Sequence, residues 1–150
     1  MTTPGKIAIG SDHAAAPAKD MLIGHLKKLG WEVKDYTVIV DGKSDYPVVG
    51  RQVAVAVAQG EFPRGVLLCG TGIGISIVAN RVPGIRAALC LNSESAVLSR
   101  EHNDANILVL PGRTAYHDPL ENILDAWLAT PFSGDERHVR RIMMIDQVEF

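Results

Sequence analysis

Residues 66–80 read VLLCGTGIGISIVAN: an apolar run, a loop with alternate glycines, and a second apolar segment. The run Val66–Cys69 predicts a buried strand, Gly70–Gly74 a glycine loop, and Ile75–Asn80 a short helix that this loop opens. If the same alternation of strand and helix continues on both sides of this unit, the chain forms a parallel sheet.

The alternation does continue. Two strands are predicted before the glycine loop, Lys6–Ser11 and Trp31–Tyr36, and two after it, Arg86–Leu91 and Ile107–Leu110. Strands separated by helices imply right-handed βαβ crossovers. We therefore expect an α/β fold: a single doubly wound, Rossmann-like, five-stranded parallel sheet with helices on both faces. The remaining predicted helices cover Ala14–Leu29, Pro47–Gln59, Ser93–Arg100, Pro119–Ala129 with Asp118 as its N-cap, and Glu136–Gln147.

Composition places the chain among globular proteins with one domain over residues 1–150. It is 47% hydrophobic and 21% charged, which is enough to bury a core without disulfides or metals. The net charge of −2 favours neither nucleic acid nor anionic lipid as a partner. The N-terminus lacks the apolar region of a signal peptide, no segment is long and apolar enough to span a membrane, and the cysteines do not form a disulfide pattern. We expect a cytoplasmic protein.

Polar and charged residues follow several predicted strands. Asp12 and His13 follow the first strand, the helix after the fourth strand leads to His102 and Asn103, and Arg113 follows the fifth. Ligands of parallel α/β sheets bind outside the carboxyl ends of the strands. We therefore expect these residues and the glycine loop to meet at one edge of the sheet.

The glycine loop is suited to an anion. Glycines at 70, 72 and 74 allow several N–H groups to point at one anionic atom at a helix N-terminus. The spacing matches neither the dinucleotide fingerprint nor a Walker loop. Thr71 either orients a substrate hydroxyl or serves only as a turn residue.

Cys69 directly precedes this loop, whereas Cys90 is expected to be a small buried side chain. Thiols at helix N-termini ionise more readily, and a thiolate can act as nucleophile or general base. A thiol redox role is disfavoured because no second cysteine lies at C-x-x-C spacing.

His13 and His102 are candidates for acid–base or phosphate-binding groups. Asp12 either orients His13, binds a sugar hydroxyl or caps the following helix. Arg137 and Arg141 share one helix face, which is either a phosphate grip or a solvated basic surface. The histidines and cysteines lack the spacing of a metal site, and no G-x-S-x-G elbow is present.

Five segments together resemble the B-type ribose-5-phosphate isomerases, a family that includes galactose-6-phosphate isomerase. They occur in the family's order and span nearly the whole chain. CGTGIGIS and REHNDAN are the most specific. The segments are residues 10–13 (GSDH), 44–47 (SDYP), 69–76 (CGTGIGIS), 80–87 (NRVPGIRA) and 100–106 (REHNDAN).

The resemblance implies a homodimer, sometimes paired into a tetramer, with the active site between subunits and the C-terminal helix packed on the partner. It implies that Cys69 abstracts the proton, that His102 opens the furanose ring, that Thr71 belongs to the catalytic group, and that the Gly70–Gly74 amides hold an enediolate oxygen. No metal or organic cofactor is implied. The implied substrate-binding residues are Asp12, His13, Tyr46, Gly70, Gly72, Ile73, Gly74, Asn103, Arg113, Arg137 and Arg141.

The expected reaction is interconversion of ribose 5-phosphate and ribulose 5-phosphate through an enediolate. The sequence departs from the family at Ala15–Pro17, in the loop near Thr37, and at Val109–Pro111. The loop near Thr37 can meet the sugar, so a tetrose 4-phosphate (erythrulose or erythrose) and a hexose 6-phosphate (galactose or allose) remain alternative substrates. A non-catalytic phosphate-binding module is a further alternative, although Cys69 and His102 would be superfluous for binding alone.

Overall fold

The chain folds around one parallel sheet, seen in a computed structural model that describes residues 3–147. The five strands lie in the order β2-β1-β3-β5-β4, and every neighbouring pair is parallel. The predicted five-stranded parallel sheet is therefore confirmed. The strands are β1 (Lys6–Ser11), β2 (Glu32–Asp35), β3 (Gly65–Cys69), β4 (Ala87–Leu89) and β5 (Ile107–Pro111).

Helices cover both faces of the sheet, as the doubly wound prediction requires. The helices α1, α4 and α5 contribute to one core layer, and α2 and α3 contribute to the other. The last helix, α6, packs beside α4 and buries only His138. The helices are α1 (Ala16–Lys28), α2 (Tyr46–Ala58), α3 (Ile73–Asn80), α4 (Ser93–Asn103), α5 (Leu120–Ala129) and α6 (Glu136–Asp146).

The central strands β3 and β5 are buried along their whole length, because both of their faces are apolar and both are covered by helices. Successive side chains point to opposite faces, so Leu67 packs in the α2–α3 layer and Leu68 in the opposite layer with Trp127. Each fully buried leucine of this kind contributes roughly 1.5–3 kcal/mol to folding. This central pair is therefore a rigid support for the loops at its ends.

Several predicted details of the elements are wrong, among them two at α4 and α5. Helix α4 does not stop at Arg100 but continues to Asn103 and ends at Asp104 in a left-handed conformation. Asp118 does not cap α5, whose N-cap is Pro119. The Asp118 carboxylate instead accepts a 2.9 Å hydrogen bond from the Ser93 N–H, because the first amides of α4 lack partners within their own helix.

No helix within residues 3–147 is both long enough and apolar enough to cross a membrane.

Candidate active site

The glycine loop forms the N-terminus of α3, as predicted, although the helix begins at Ile73 rather than Ile75. Gly72 is its N-cap with φ +79°, a left-handed conformation in which any larger side chain would be strained. The Thr71 hydroxyl oxygen accepts a 3.1 Å hydrogen bond from the Ile73 N–H. First-turn amides have no partner within a helix, so this turn presents N–H groups to an anion at the carboxyl edge of the sheet.

Cys69 is the last residue of β3, and its thiol is free of any disulfide. The residue is only 4% exposed and packs in the α2–α3 layer. Backbone bonds join this end of β3 to the loop after β5: Gly112 N–H donates to the Cys69 carbonyl (2.8 Å) and Arg113 N–H to the Gly70 carbonyl (3.0 Å). The Arg113 backbone is therefore fixed next to the glycine loop, and its side chain lies near Gly70.

The loop after β1 lies at the same edge. Asp12 is buried, and its Oδ1 accepts a 3.0 Å hydrogen bond from the Ala15 N–H. Asp12 thus supports the turn before α1, whose N-cap is Ala15, and within residues 3–147 its second oxygen, Oδ2, accepts no hydrogen bond. Nδ1 of His13 lies 3.2 Å from both the backbone N and O of Ser44, which joins this loop to the one after β2.

Tyr46 begins α2 and lies against the glycine loop. A Cβ atom added at Gly74 would come within 2.6–2.8 Å of three atoms of the Tyr46 side chain. Glycine at 74 therefore allows the aromatic ring to contact the N-terminus of α3. These residues form what we call the carboxyl-edge group: Asp12, His13, Tyr46, Cys69, Gly70, Thr71, Gly72, Ile73, Gly74 and Arg113.

His102 and Asn103 lie at the opposite edge of the sheet, so the expectation that all candidate residues meet at one edge is wrong for them. They form the last turn of α4, which returns from the carboxyl edge toward the start of β5. Arg86, directly before β4, donates from Nε to the Asn103 carbonyl at 3.1 Å. A helix of this length spans about 16 Å, and the sequence-based expectation overlooked this return path.

A buried arginine fixes the end of α4. Arg100 donates to the carbonyls of Ala105 (2.7 Å) and Thr130 (3.2 Å), and its guanidinium lies 5.8 Å from the centre of the Trp127 ring. Arg64 also lies on this ring, at 5.3 Å. Burial, and then the charge of Arg100, lowers the pKa of Arg64 to about 10. This cluster holds the helix end that carries His102.

His138 is a site residue that sequence reasoning missed. It is the buried residue of α6, and its ring centroid lies 4.5 Å from that of His102. Its Nδ1 lies 2.8 Å from the Ser133 hydroxyl. Desolvation, and then the neighbouring His102 and Arg137, lower the pKa of His138. The only feature of the sequence that pointed to His138 is its position between the candidate arginines Arg137 and Arg141.

Arg137 and Arg141 lie one turn apart on α6, both exposed, as their spacing predicted. Within residues 3–147, neither guanidinium pairs with a carboxylate. Both therefore remain available for a charge-assisted bond to an anion. Their position next to His138 places them at the amino edge with His102. The amino-edge group comprises His102, Asn103, Arg137, His138 and Arg141.

A free thiol, a glycine loop and an arginine at the carboxyl edge of a doubly wound sheet are typical of an α/β enzyme site for a small anionic substrate. Comparison with known proteins makes the class specific. A family model described as Ribose/Galactose Isomerase matches residues 7–145. The chain belongs to this family, and the resemblance seen in its motifs is confirmed.

Individual relatives agree. The chain is 44% identical to ribose-5-phosphate isomerase B of Escherichia coli over 96% of both chains. It is 42% identical to D-erythrulose-4-phosphate isomerase of Pectobacterium atrosepticum over 85% of both. The solved structure of Clostridium thermocellum ribose-5-phosphate isomerase B superposes with a TM-score of 0.90 at 50% identity, covering 95% of both chains. The expectation of an aldose–ketose isomerase is confirmed.

Proposed function

We propose that the protein interconverts ribose 5-phosphate and ribulose 5-phosphate. The observation that carries this proposal is the position of Cys69, directly before the amides of the glycine loop and beside Arg113. The relatives named as ribose-5-phosphate isomerase B support the choice of a pentose phosphate.

The active site, we propose, is shared between two copies of the chain. Cys69, the candidate base, and His102, the candidate for ring opening, lie at opposite edges of the sheet. The length of β3 is about 13 Å, and this length separates the two edges. A two-fold axis can bring the amino-edge group of one subunit to the carboxyl-edge group of its partner, forming two equivalent sites. Each group is incomplete without the other, which supports a homodimer as the smallest active unit.

The exposed faces of α3 and α6 support this assembly. Ile73 and Ile77 lie four residues apart on α3, 55% and 58% exposed. On α6, Val139 and Met143 have the same spacing and are also exposed. Apolar side chains in such continuous rows are typical of surfaces that a partner covers.

The reaction begins with opening of the furanose ring. In the proposed site, the His102 imidazole transfers the proton between the C1 hydroxyl and the ring oxygen, so that the C1–O bond to the ring breaks and an open-chain aldehyde forms. Imidazole is suited to this step because it can accept and donate a proton near neutral pH.

Isomerisation follows at Cys69. The thiolate removes the proton from C2, and the electron pair forms the C1–C2 double bond while the aldehyde oxygen becomes an enediolate oxygen. The amides of the glycine loop stabilise that charge, an arrangement in which loss of one donor typically costs about 3 kcal/mol. The thiol then gives its proton to C1, and the proton on O2 passes to O1, so that the C2 carbonyl and the C1 hydroxyl of the ketose form.

The arginines hold the other end of the substrate. In the proposed dimer, Arg113 of one subunit and the α6 arginines of its partner reach the phosphate, while Asp12, His13, Tyr46 and Asn103 bind along the sugar. Guanidinium groups are suited to this role because their fork matches phosphate oxygens. The phosphate grip thus fixes the distance from the phosphate to the reacting carbons.

A substrate panel tests the proposed function. The purified chain is assayed with ribose 5-phosphate, erythrulose 4-phosphate, galactose 6-phosphate and allose 6-phosphate at matched concentrations. We expect the highest kcat/KM with ribose 5-phosphate. Turnover of none of them would contradict the enzyme assignment and favour the phosphate-binding module.

Erythrulose 4-phosphate is the strongest alternative substrate. A relative named for that substrate is 42% identical, and the loop after β2, where this sequence departs from the family, contacts His13 through Ser44. A higher kcat/KM with the tetrose than with the pentose would establish this alternative. We also propose a cytoplasmic location, which the two free thiols at Cys69 and Cys90 support.

A further inference from the structure

We propose that Arg86 and Asp146 form a clamp that positions α6, and with it the phosphate-binding arginines Arg137 and Arg141. Neither Arg86 nor Asp146 contacts substrate in this inference, so both are positioning residues. The inference rests on the proposed function, because it takes Arg137 and Arg141 as the phosphate grip.

The backbone of Arg86 is fixed at the start of β4. Its N–H donates to Oδ1 of Asn106 at 2.8 Å, and its carbonyl accepts the Asn106 N–H at 3.0 Å. The Arg86 side chain is only 17% exposed. The Arg86 guanidinium therefore extends from a backbone position that cannot move without breaking hydrogen bonds at the sheet edge.

That guanidinium joins the ends of two helices. Its Nε donates to the carbonyls of Asn103 (3.1 Å) and Asp104 (3.2 Å), at the end of α4. Its Nη1 donates to both carboxylate oxygens of Asp146, at 3.1 and 2.9 Å, at the end of α6. One planar group thus fixes the helix that carries His102 relative to the helix that carries the arginines.

Helix α6 needs such an anchor. It buries only His138, near its first turn, where the Ser133 hydroxyl and the His102 ring hold it. Asp146 is its last residue, five residues beyond Arg141. Within residues 3–147 of one subunit, the Arg86 bond is the salt bridge that ties the last turn of α6 to the sheet edge, so its loss should let the arginines change their direction.

The local sequence does not explain an aspartate at this position. A carboxylate at the C-terminus of a helix is disfavoured by the helix dipole, which favours cations there. Asp146 therefore weakens its own helix, and the contact that compensates lies outside the helix, on Arg86. This supports a role in the placement of α6 rather than in its formation.

The test uses Asp146→Asn and Arg86→Lys, with Asp125→Asn as the matched control. Asp125 is also an exposed helical carboxylate, paired with His25 on a different part of the surface. We expect each clamp variant to raise the KM for ribose 5-phosphate and the inhibition constant of inorganic phosphate by about threefold to tenfold. In Asp146→Asn the kcat should stay within about twofold, whereas Arg86→Lys also loses the bonds to the end of α4 that carries His102. Asp146→Glu should recover part of the loss, because it restores the carboxylate.

An unchanged KM in both clamp variants, or the same change in Asp125→Asn, would overturn the clamp. A drop in kcat with constant KM in Asp146→Asn would also overturn it, since Asp146 acts on binding through α6. Thermal unfolding of each variant measures any loss of fold separately from the kinetic constants.

A double-variant experiment separates this inference from the proposed function. In the background Arg137→Ala/Arg141→Ala, Asp146→Asn should add no further increase in KM, because the groups that it positions are gone. An independent, multiplicative increase would overturn the clamp alone. If Arg137→Ala/Arg141→Ala itself leaves KM unchanged, the phosphate assignment fails and the clamp fails with it.

Discussion

The carboxyl-edge and amino-edge groups are built in different ways. The first is made by backbone: buried strands end in short loops that bond to each other, as Gly112 and Arg113 do with Cys69 and Gly70. The second is made by long side chains that join helix ends, above all Arg100 and Arg86. A backbone-built group is rigid as soon as the sheet forms, whereas a group held by side chains depends on a few charge-assisted bonds.

In the proposed reaction, the two edges carry out different steps. Proton abstraction and oxyanion stabilisation require atoms placed within a fraction of an ångström, and these tasks fall to the backbone-built edge. Ring opening and phosphate binding fall mainly to the edge built by side chains. Substitutions at the two edges should therefore differ in which kinetic constant they change.

The largest expected effect is at Cys69. Cys69→Ala removes the proposed base and should lower kcat by roughly 10²- to 10⁴-fold, while substrate binding stays measurable. The matched control is Cys90→Ala, a buried thiol in the opposite core layer, which should retain most activity. Steady-state assay plus binding of ribose 5-phosphate to the inactive variant checks both, and full activity of Cys69→Ala would refute the assigned base.

His102→Asn should separate the two directions of the reaction. Ribose 5-phosphate must open its ring before isomerisation, whereas the phosphate on O5 prevents ribulose 5-phosphate from closing a furanose ring. We expect about 10²-fold loss from the aldose and a much smaller loss from the ketose. Rates measured from both substrates check this prediction; equal losses in the two directions would remove His102 from ring opening.

Single substitution of Arg137 or Arg141 by Ala should raise KM about tenfold, because one charge-assisted bond to phosphate is lost. The matched control is Arg140→Ala on the same helix, expected to leave KM nearly unchanged. Initial rates over a range of ribose 5-phosphate concentrations measure the effect. A lower kcat with unchanged KM would place these arginines outside the phosphate site.

The smallest expected effect is a pH dependence confined to the amino edge. The folded chain holds the pKa of His138 below its ordinary value of 6.5, so between these two pKa values the unfolded chain binds more protons. The stabilisation that depends on neutral His138 is present above about pH 6.5 and is lost as the pH falls toward the lower, folded pKa. The groups that face this ring are His102, Arg137, Arg141, Asp135 and Ser133.

Melting temperatures of the wild type and His138→Gln between pH 8 and pH 5 test this dependence. The wild type should lose more stability on acidification than His138→Gln. The control is His25→Gln, a histidine variant outside the amino-edge group, which should lose as much stability as the wild type. Parallel curves for the wild type and His138→Gln would contradict the assignment.

Sequence reasoning predicted the sheet, the order of its elements and nearly all of the carboxyl-edge group, because those features follow from local patterns. An apolar run followed by Gly70–Gly74 specifies a strand, a loop and a helix start within a few residues. The helix α4 leaves the carboxyl edge after β4 and must return to the amino edge before β5, so the place of His102 and Asn103 follows from the predicted crossovers and was overlooked. The extension of α4 beyond Arg100 was not predictable from a local pattern, because the left-handed Asp104 and the bonds of Arg100 set that last turn.

Contacts between segments that are distant in the sequence also could not be predicted. The His138 ring contacts the His102 ring, and Asp146 pairs with Arg86, only because α6 folds back beside α4. From the sequence alone, the charged residues of α6 are typical of a solvated helix.

The division of one site between two chains can be tested by mixing inactive variants. Cys69→Ala and His102→Asn are co-expressed with different tags, and the hybrid dimer is purified and assayed with ribose 5-phosphate. One of its two sites then combines an intact Cys69 with an intact His102, so the hybrid should recover about half of the wild-type activity. If the hybrid is as inactive as its parents, the thiol and the imidazole do not meet across two subunits.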